Sequence, residues 1–236
     1  MSLTRHESIL TGILFLPCVY MFKKLYTTYK SLKRQYEEEE LFYERHNCVV
    51  MYSKTHITGW PPEYKISILT KNLDKFLEPY LYFINTSKHS IDLAVMTLAI
   101  NSIMEALQNA LKRGVKVRLI VNFLSIKSQA KRYNELIKSG IKVAFFIGKS
   151  TNFINIMHFK YIVKDYDGTD GFLCMGSMNL TGMSTLLNNY EDVTFTSSIC
   201  LVEAFHKNFQ ESWNMIMEDN ENIYNKTVLA DNGFSL

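Results

Sequence analysis

The stretch MHFKYIVKD, Met157 to Asp165, sets His158 and Lys160 two residues apart and Asp165 five further on, in a chain with six histidines in all. Its apolar content reads as a strand from Ile156 to Lys164. On a strand alternate side chains share a face, so His158 and Lys160 point the same way and make a paired site. The turn-rich YDGTDG follows, then a second strand over Gly171–Met175, and a hairpin is the simplest connection between them.

The surroundings read as α/β. Cys48–Tyr52 and Ser90–Met96 are expected strands, with Ile66–Ile84 helical and interrupted at Pro79. Asn101 and Ser102 offer N-caps to a helix ending near Gly114. Val115–Asn122 then has the continuous apolar character of a buried parallel strand. The unit repeats as a helix over Ser125–Ser139, a stop at Gly140 and a strand over Val143–Ile147, which gives a central mixed, largely parallel sheet flanked by helices. Asp192–Thr196 is a further strand, Cys200–Met217 a closing amphipathic helix, and the last residues a loose tail.

With 236 residues and 47% hydrophobic content, the chain can bury one good-sized core. The formal charge of +3 identifies no partner, but between Gln108 and Val143 there are nine Lys or Arg residues against one acidic residue, Glu135. Such an excess suits a phosphate-bearing partner, with Lys112, Arg113, Lys116, Arg118, Lys127, Lys131 and Arg132 as candidate substrate-binding residues; solvated faces of two amphipathic helices are the alternative. The four cysteines, Cys18, Cys48, Cys174 and Cys200, show no CxxC or CxC pairing, which argues against a disulfide framework or a zinc knuckle.

Ser8–Phe22 carries no charge and is followed by Lys23, Lys24, Lys30, Lys33 and Arg34. The run is shorter than the roughly 20 residues usual for a membrane-spanning helix and contains Pro17. A cleaved signal would place its charge before the run and a small-residue site after it. A signal anchor is therefore favoured over a signal peptide or a buried helix, with the body held on the cytosolic side by the basic flank. The domain expectation is an extension (1–7), an anchor (8–22), a helical linker (23–46), a catalytic domain (47–220) and a tail (221–236).

After the hairpin comes GSMNLT, with Ser177 and Asn179 two apart at a strand end, and then Glu191 at the start of the next strand. HxKxxxxD, GSxN and a following Glu, in that order, resemble the signature of the phospholipase D superfamily; the elements here are His158, Lys160, Asp165, Gly176, Ser177, Asn179 and Glu191. Within it, the single motif, the short basic-flanked N-terminal segment, the compact α/β body and the C-terminal helix resemble the Zucchini, or mitochondrial cardiolipin hydrolase, family.

The resemblance implies a homodimer whose two HxK motifs face each other across a twofold axis and share one active site. It implies a metal-independent phosphodiesterase. His158 of one protomer attacks phosphorus to form a phosphohistidine, and His158 of the other protonates the leaving oxygen. Lys160 and Asn179 bind the non-bridging oxygens, Ser177 adds a hydroxyl or caps the following turn, Glu191 orients the imidazole, and Asp165 braces the motif.

Three functions follow. One is a single-strand endoribonuclease leaving 5′-phosphate ends in Piwi-interacting RNA biogenesis at the outer mitochondrial membrane, with single-stranded RNA, that membrane and Piwi-pathway proteins as partners. The second is a cardiolipin-hydrolysing phospholipase D, and the third an inactive membrane-tethered scaffold. No cofactor is expected. Animal relatives carry a Cys-rich zinc-binding insertion after the first strand, whereas 52–66 here has no cysteine, and His46, Cys48 and His56 are too few and too poorly spaced for a closed tetrahedral site.

Overall fold

The computed structural model describes residues 5–54, 56–62, 65–67, 74–148, 155–182 and 188–234. It divides into two compact units, Met1–Glu44 and Arg45–Leu236.

The first unit is nearly all of one helix, α1 (Arg5–Arg45), which continues through Pro17. Its polar part is rich in helix formers, and Lys33–Glu37 and Arg34–Glu38 pair one turn apart. Leu16, Val19, Tyr20, Phe22 and Leu25 are exposed along it. Among the described residues no helix is long and apolar enough to cross a membrane.

The second unit is built on one sheet. Its strands are β1 (Cys48–Ser53), β2 (His56–Thr58), β3 (Lys65–Ser67), β4 (Ser90–Val95), β5 (Lys116–Asn122), β6 (Lys142–Phe146), β7 (Lys160–Lys164), β8 (Phe172–Gly176) and β9 (Tyr190–Thr196), in spatial order β3-β2-β1-β9-β8-β7-β4-β5-β6. The sheet is mixed, as expected, but not largely parallel. Only β4–β5 and β5–β6 are parallel, and the other six pairings are antiparallel. The parallel pairs are those joined through α3 (Asn101–Lys112) and through the segment containing α4 (Phe123–Ile126) and α5 (Ala130–Lys138).

Cross-strand register assigns the two faces. Asp92, Ala94, Arg118, Ile120, Ala144, Tyr161, Val163 and Leu173 share one face, over which α6 (Ile199–Glu221) lays Val202, Phe209, Trp213 and Ile216. Each of these large side chains, moved from water into the core, contributes roughly 1.5–3 kcal/mol. The opposite face carries Val50, Tyr52, Leu93, Val95, Leu119, Val121, Phe145, Ile162, Cys174, Val193 and Phe195, all buried.

Several local expectations are corrected. Ile66 lies in β3 rather than in a helix; the helix here is α2 (Asp74–Asn85), which runs on through Pro79 instead of breaking there. The N-cap of α3 is Ile100, with no side-chain cap bond, so Asn101 and Ser102 lie inside the helix. That helix does stop at Gly114, whose φ of +92° few residues other than glycine adopt. The C-terminal residues are not a loose tail. They form α7 (Ile223–Asp231), begun by the Asn222 side chain accepting from the Asn225 N–H. Beyond it Phe234 is buried against the rings of Phe123, Tyr133 and Phe145, while Asn134 donates to the Gly233 carbonyl at 2.6 Å.

Candidate active site

His158 and Lys160 sit at the end of the sheet formed by the C-terminal ends of β4 and β8 and the N-terminal ends of β7 and β9. β7 begins at Lys160, opposite Val95, so His158 lies in the extended segment just before the strand and not within it. Backbone contacts fix that segment. Met96 N–H donates to the Phe159 carbonyl at 3.0 Å, and Met157 N–H to the Asn122 side-chain oxygen at 3.4 Å, while the Met157 side chain is buried. The imidazole thereby hangs from a pinned backbone.

Lys160 Nζ lies 3.1 Å from both His158 ring nitrogens and donates to the His158 carbonyl at 3.0 Å. His158 is exposed and Lys160 half-buried. Burial lowers the Lys160 pKa from its ordinary value, and the Glu191 carboxylate works against that by favouring the ammonium.

Gly176 ends β8 where the backbone passes close to β9. A Cβ there would stand 2.1 Å from the Asp192 carbonyl oxygen, so glycine is required for this approach. Ser177 is locked to β9 by reciprocal bonds: its N–H donates to the Asp192 carbonyl and its hydroxyl oxygen accepts from Asp192 N–H, each at 3.0 Å. The same hydroxyl donates to Glu191 Oε2, and Asn189 Nδ2 donates to Glu191 Oε1 at 2.9 Å. The Glu191 hydrogen bonds in this chain go to Ser177 and Asn189. Asn179 precedes Leu180, which bridges to Leu98 and accepts from Ala99 N–H at 2.7 Å. The Asn179 side-chain oxygen is buried without a hydrogen-bond partner among the described residues. The Asn179 amide nitrogen is the group able to donate to a phosphoryl oxygen.

Asp165 stands at the other end of β7, in the left-handed region at φ +55°. Its carboxylate accepts from the N–H groups of Lys88, His89 and Ser90 at 2.7–3.0 Å, tying the turn before β4 to the end of β7.

The basic residues expected to line a substrate path are split. Lys112, Arg113, Lys116 and Arg118 lie at the end of the sheet away from His158, because α3 runs back along β4 and β5 starts there. Arg113 donates to the carbonyls of Ile84 and Ser87, and Lys112 to the Asn109 side chain. Arg118 makes a two-pronged pair with Asp92, 2.7 Å for each bond, and lies over the rings of Phe209 and Trp213. These four are removed from the catalytic end. Lys127, Lys131 and Arg132 follow β5 and belong to the His158 end, where Arg132 donates to Gln129 and to the Ala99 carbonyl.

Asn122 and Asn189 take part without having been singled out from the sequence. Each is an amide at a strand terminus, and only the long-range pairing reveals it. Among the described residues no group of three or more His, Cys, Asp or Glu side chains could hold a metal. The residues nearest a zinc position do not fit one: the His46 ring packs against Tyr82, Phe83 and Phe172, and the Cys48 thiol donates to the Arg45 carbonyl at 3.7 Å.

A mixed α/β sheet presenting HxK at one end beside a GSxN turn and a bonded glutamate defines a phospholipase D-like domain. A family model described as "Cardiolipin synthase, PLD-like domain" matches residues 80–213, more than half of the chain, and the chain belongs to that family, within the phospholipase D superfamily. It is similar to proteins named mitochondrial cardiolipin hydrolase from Chlamydomonas reinhardtii (25% identity, 59% of this chain and 58% of that protein) and Drosophila melanogaster (25%, 61% and 59%). The chain spans about three fifths of the length of these relatives. Among solved structures it is similar to Nuc, a phospholipase D family member from Salmonella typhimurium, with 29% identity, a TM-score of 0.48 and coverage of 57% of this chain and 84% of that one.

Proposed function

We propose that this protein is a phosphodiesterase working through a phosphohistidine, with single-stranded RNA as its substrate. The observation that carries the reading is the exposed His158 with the Lys160 ammonium 3.1 Å from its ring nitrogens. A neutral imidazole keeps a lone pair on one of these two nitrogens, and this is the lone pair that would attack phosphorus. In the free protein the two groups hold each other in place. A phosphodiester entering the site would draw Lys160 onto its non-bridging oxygens and free the imidazole for attack.

The His158 nitrogen forms a bond to phosphorus as the bond to the leaving oxygen breaks, and that oxygen takes a proton. A second copy of the chain supplies the acid, its own His158. The exposure of the ring supports this, since the group must be reachable across a twofold axis. Water then attacks the phosphohistidine, releases a 5′-phosphate end and restores the imidazole. Asn179 adds a donor to the phosphoryl oxygens. Ser177 and Asn189 fix Glu191, whose charge favours the Lys160 ammonium against the effect of burial.

RNA is favoured by Lys127 and Lys131, exposed cations at the His158 end. Such cations suit the backbone of a single strand. Cardiolipin is the second reading, favoured by the names of the relatives, and a mitochondrial surface is the setting those names suggest for either substrate.

The test uses the full chain with EDTA present, on labelled single-stranded RNA and on cardiolipin liposomes, beside His158→Ala. Cleavage of RNA to 5′-phosphate ends, absent in the variant, supports the proposal. Hydrolysis of lipid alone replaces RNA with cardiolipin, and inactivity of a folded dimer on both substrates leaves a tethered scaffold as the reading.

A further inference from the structure

At the end of the sheet away from His158, a cleft of about 540 Å³ opens between the start of β5, the turn at Gly140 and His206 of α6. Its walls are of two kinds. Leu111 and the Tyr166 ring are apolar, whereas Lys116, Arg118, Lys142 and His206 bring cationic or hydrogen-bonding groups.

The register makes this an unusual concentration of like charge. Arg118 and Lys142 stand directly opposite each other on β5 and β6, and Lys116 lies two residues before Arg118 on the same face. Like charges facing each other on neighbouring strands repel. One carboxylate, Asp92, faces them from β4, and Arg118 occupies both its oxygens. Among the described residues neither Lys116 nor Lys142 has an ion-pair partner, and both are exposed.

Two further groups are poised there. The Arg118 guanidinium has five N–H donors; its bonds to Asp92 and to Gln210 at 3.1 Å use three of them. His206 lies with its ring against Tyr166, and its Nδ1 is buried without a hydrogen bond, 3.7 Å from Asp92 Oδ2. The arrangement offers fixed donors and uncompensated positive charge beside an apolar wall, in a space of the size usual for small-molecule sites.

We infer that this cleft is a second, non-catalytic binding site for a small phosphorylated molecule, with the phosphate held between Lys116, Lys142 and the Arg118 guanidinium and an apolar portion against Leu111 and the Tyr166 ring. It gives a use to Lys116, Arg118 and Lys142, which the catalytic end does not use, and it is independent of the substrate proposed for His158.

The experiment follows the His206 ring resonances of the full chain, identified by their loss in His206→Asn, while inorganic phosphate or phenyl phosphate is added. Saturable movement of these signals is expected, with phenyl phosphate binding about tenfold tighter than phosphate because of the apolar wall. Lys142→Glu, an exposed position outside the catalytic machinery, should weaken both at least ~10-fold, and Lys116→Glu likewise. Lys160→Met should leave the His206 response unchanged, which separates this site from phosphate binding at His158. Absence of movement at concentrations that saturate the His158 signals overturns the site, as does unchanged affinity in both glutamate variants. Equal affinities for the two probes overturn the role of the apolar wall.

Discussion

Lys164 lies on β7 four residues beyond Lys160 and is fully buried. Its ammonium nitrogen donates to the Phe83 carbonyl at 3.0 Å and to the Thr86 hydroxyl at 2.6 Å, and it lies 4.5 Å and 5.3 Å from the ring centroids of Phe83 and Phe172. Burial brings its pKa down from 10.5 to about 7, with the neighbouring Asp165 acting in the opposite sense. Between those values the unfolded chain keeps a proton that the folded chain has released. Stability contributed at this position therefore rises with pH from about 7 to about 10.5, and below about pH 7 the folded state bears the whole cost of a buried ammonium.

Each pH unit of that window corresponds to about 1.4 kcal/mol, so the full effect is on the order of 5 kcal/mol. Lys164→Met removes the titration while keeping a similar volume. The variant should gain stability relative to wild type at low pH, and the gain should shrink by about 1.4 kcal/mol per pH unit above neutrality. Lost hydrogen bonds and altered packing displace the whole difference without changing its slope, and groups titrating elsewhere cancel. The assay is urea unfolding of both proteins in steps from about pH 6 to about pH 9.5, within the window where linkage acts. A difference in free energy that stays constant with pH refutes the reasoning, because it would mean that Lys164 is protonated equally in the two states.

Asp165→Ala removes the acceptor of three backbone N–H groups and places a residue without a local hydrogen-bonding side chain at φ +55°, so it should cost about 3 kcal/mol in urea unfolding, and Asp165→Asn less. Arg118→Ala leaves Asp92 buried without its partner and should cost about 3–5 kcal/mol, with the loss partly restored by Asp92→Asn in a double-mutant cycle; weakened RNA binding at unchanged stability would contradict its structural role. Glu191→Gln withdraws a charge that raises the Lys160 pKa against burial, so the alkaline limb of the kcat/KM profile on RNA should move to lower pH, and an unmoved limb would separate Glu191 from Lys160. Lys160→Met should lower kcat by about 10²–10³ with the urea midpoint unchanged, since its ammonium acts on developing phosphoryl charge and the side chain is only half-buried.

The parts of this fold legible in the sequence are those specified by neighbours along the chain. The motif from His158 to Asp165, the GSMN turn and the units that pack β4, β5 and β6 side by side announce themselves through spacing and apolar runs. The short strands β2 and β3 were illegible, because three-residue segments carry too little periodicity and owe their existence to pairing with β1. Pro79 misled because an isolated helix is weakened at proline, whereas α2 is held by the burial of Phe76, Leu77, Tyr80, Phe83 and Ile84 around it.

The basic stretch misled for a different reason. Lys116 and Lys127 are close in sequence, but β5 runs from one end of the sheet to the other between them, so one local excess of charge becomes two groups of cations at opposite ends. The same geometry explains Glu191. Its position after the GSxN turn is readable, yet its partners Ser177 and Asn189 follow from the antiparallel docking of β8 on β9 and from the close approach that Gly176 permits. Residue types fix which chemistry is available, and strand direction decides which of those residues can meet on one phosphate.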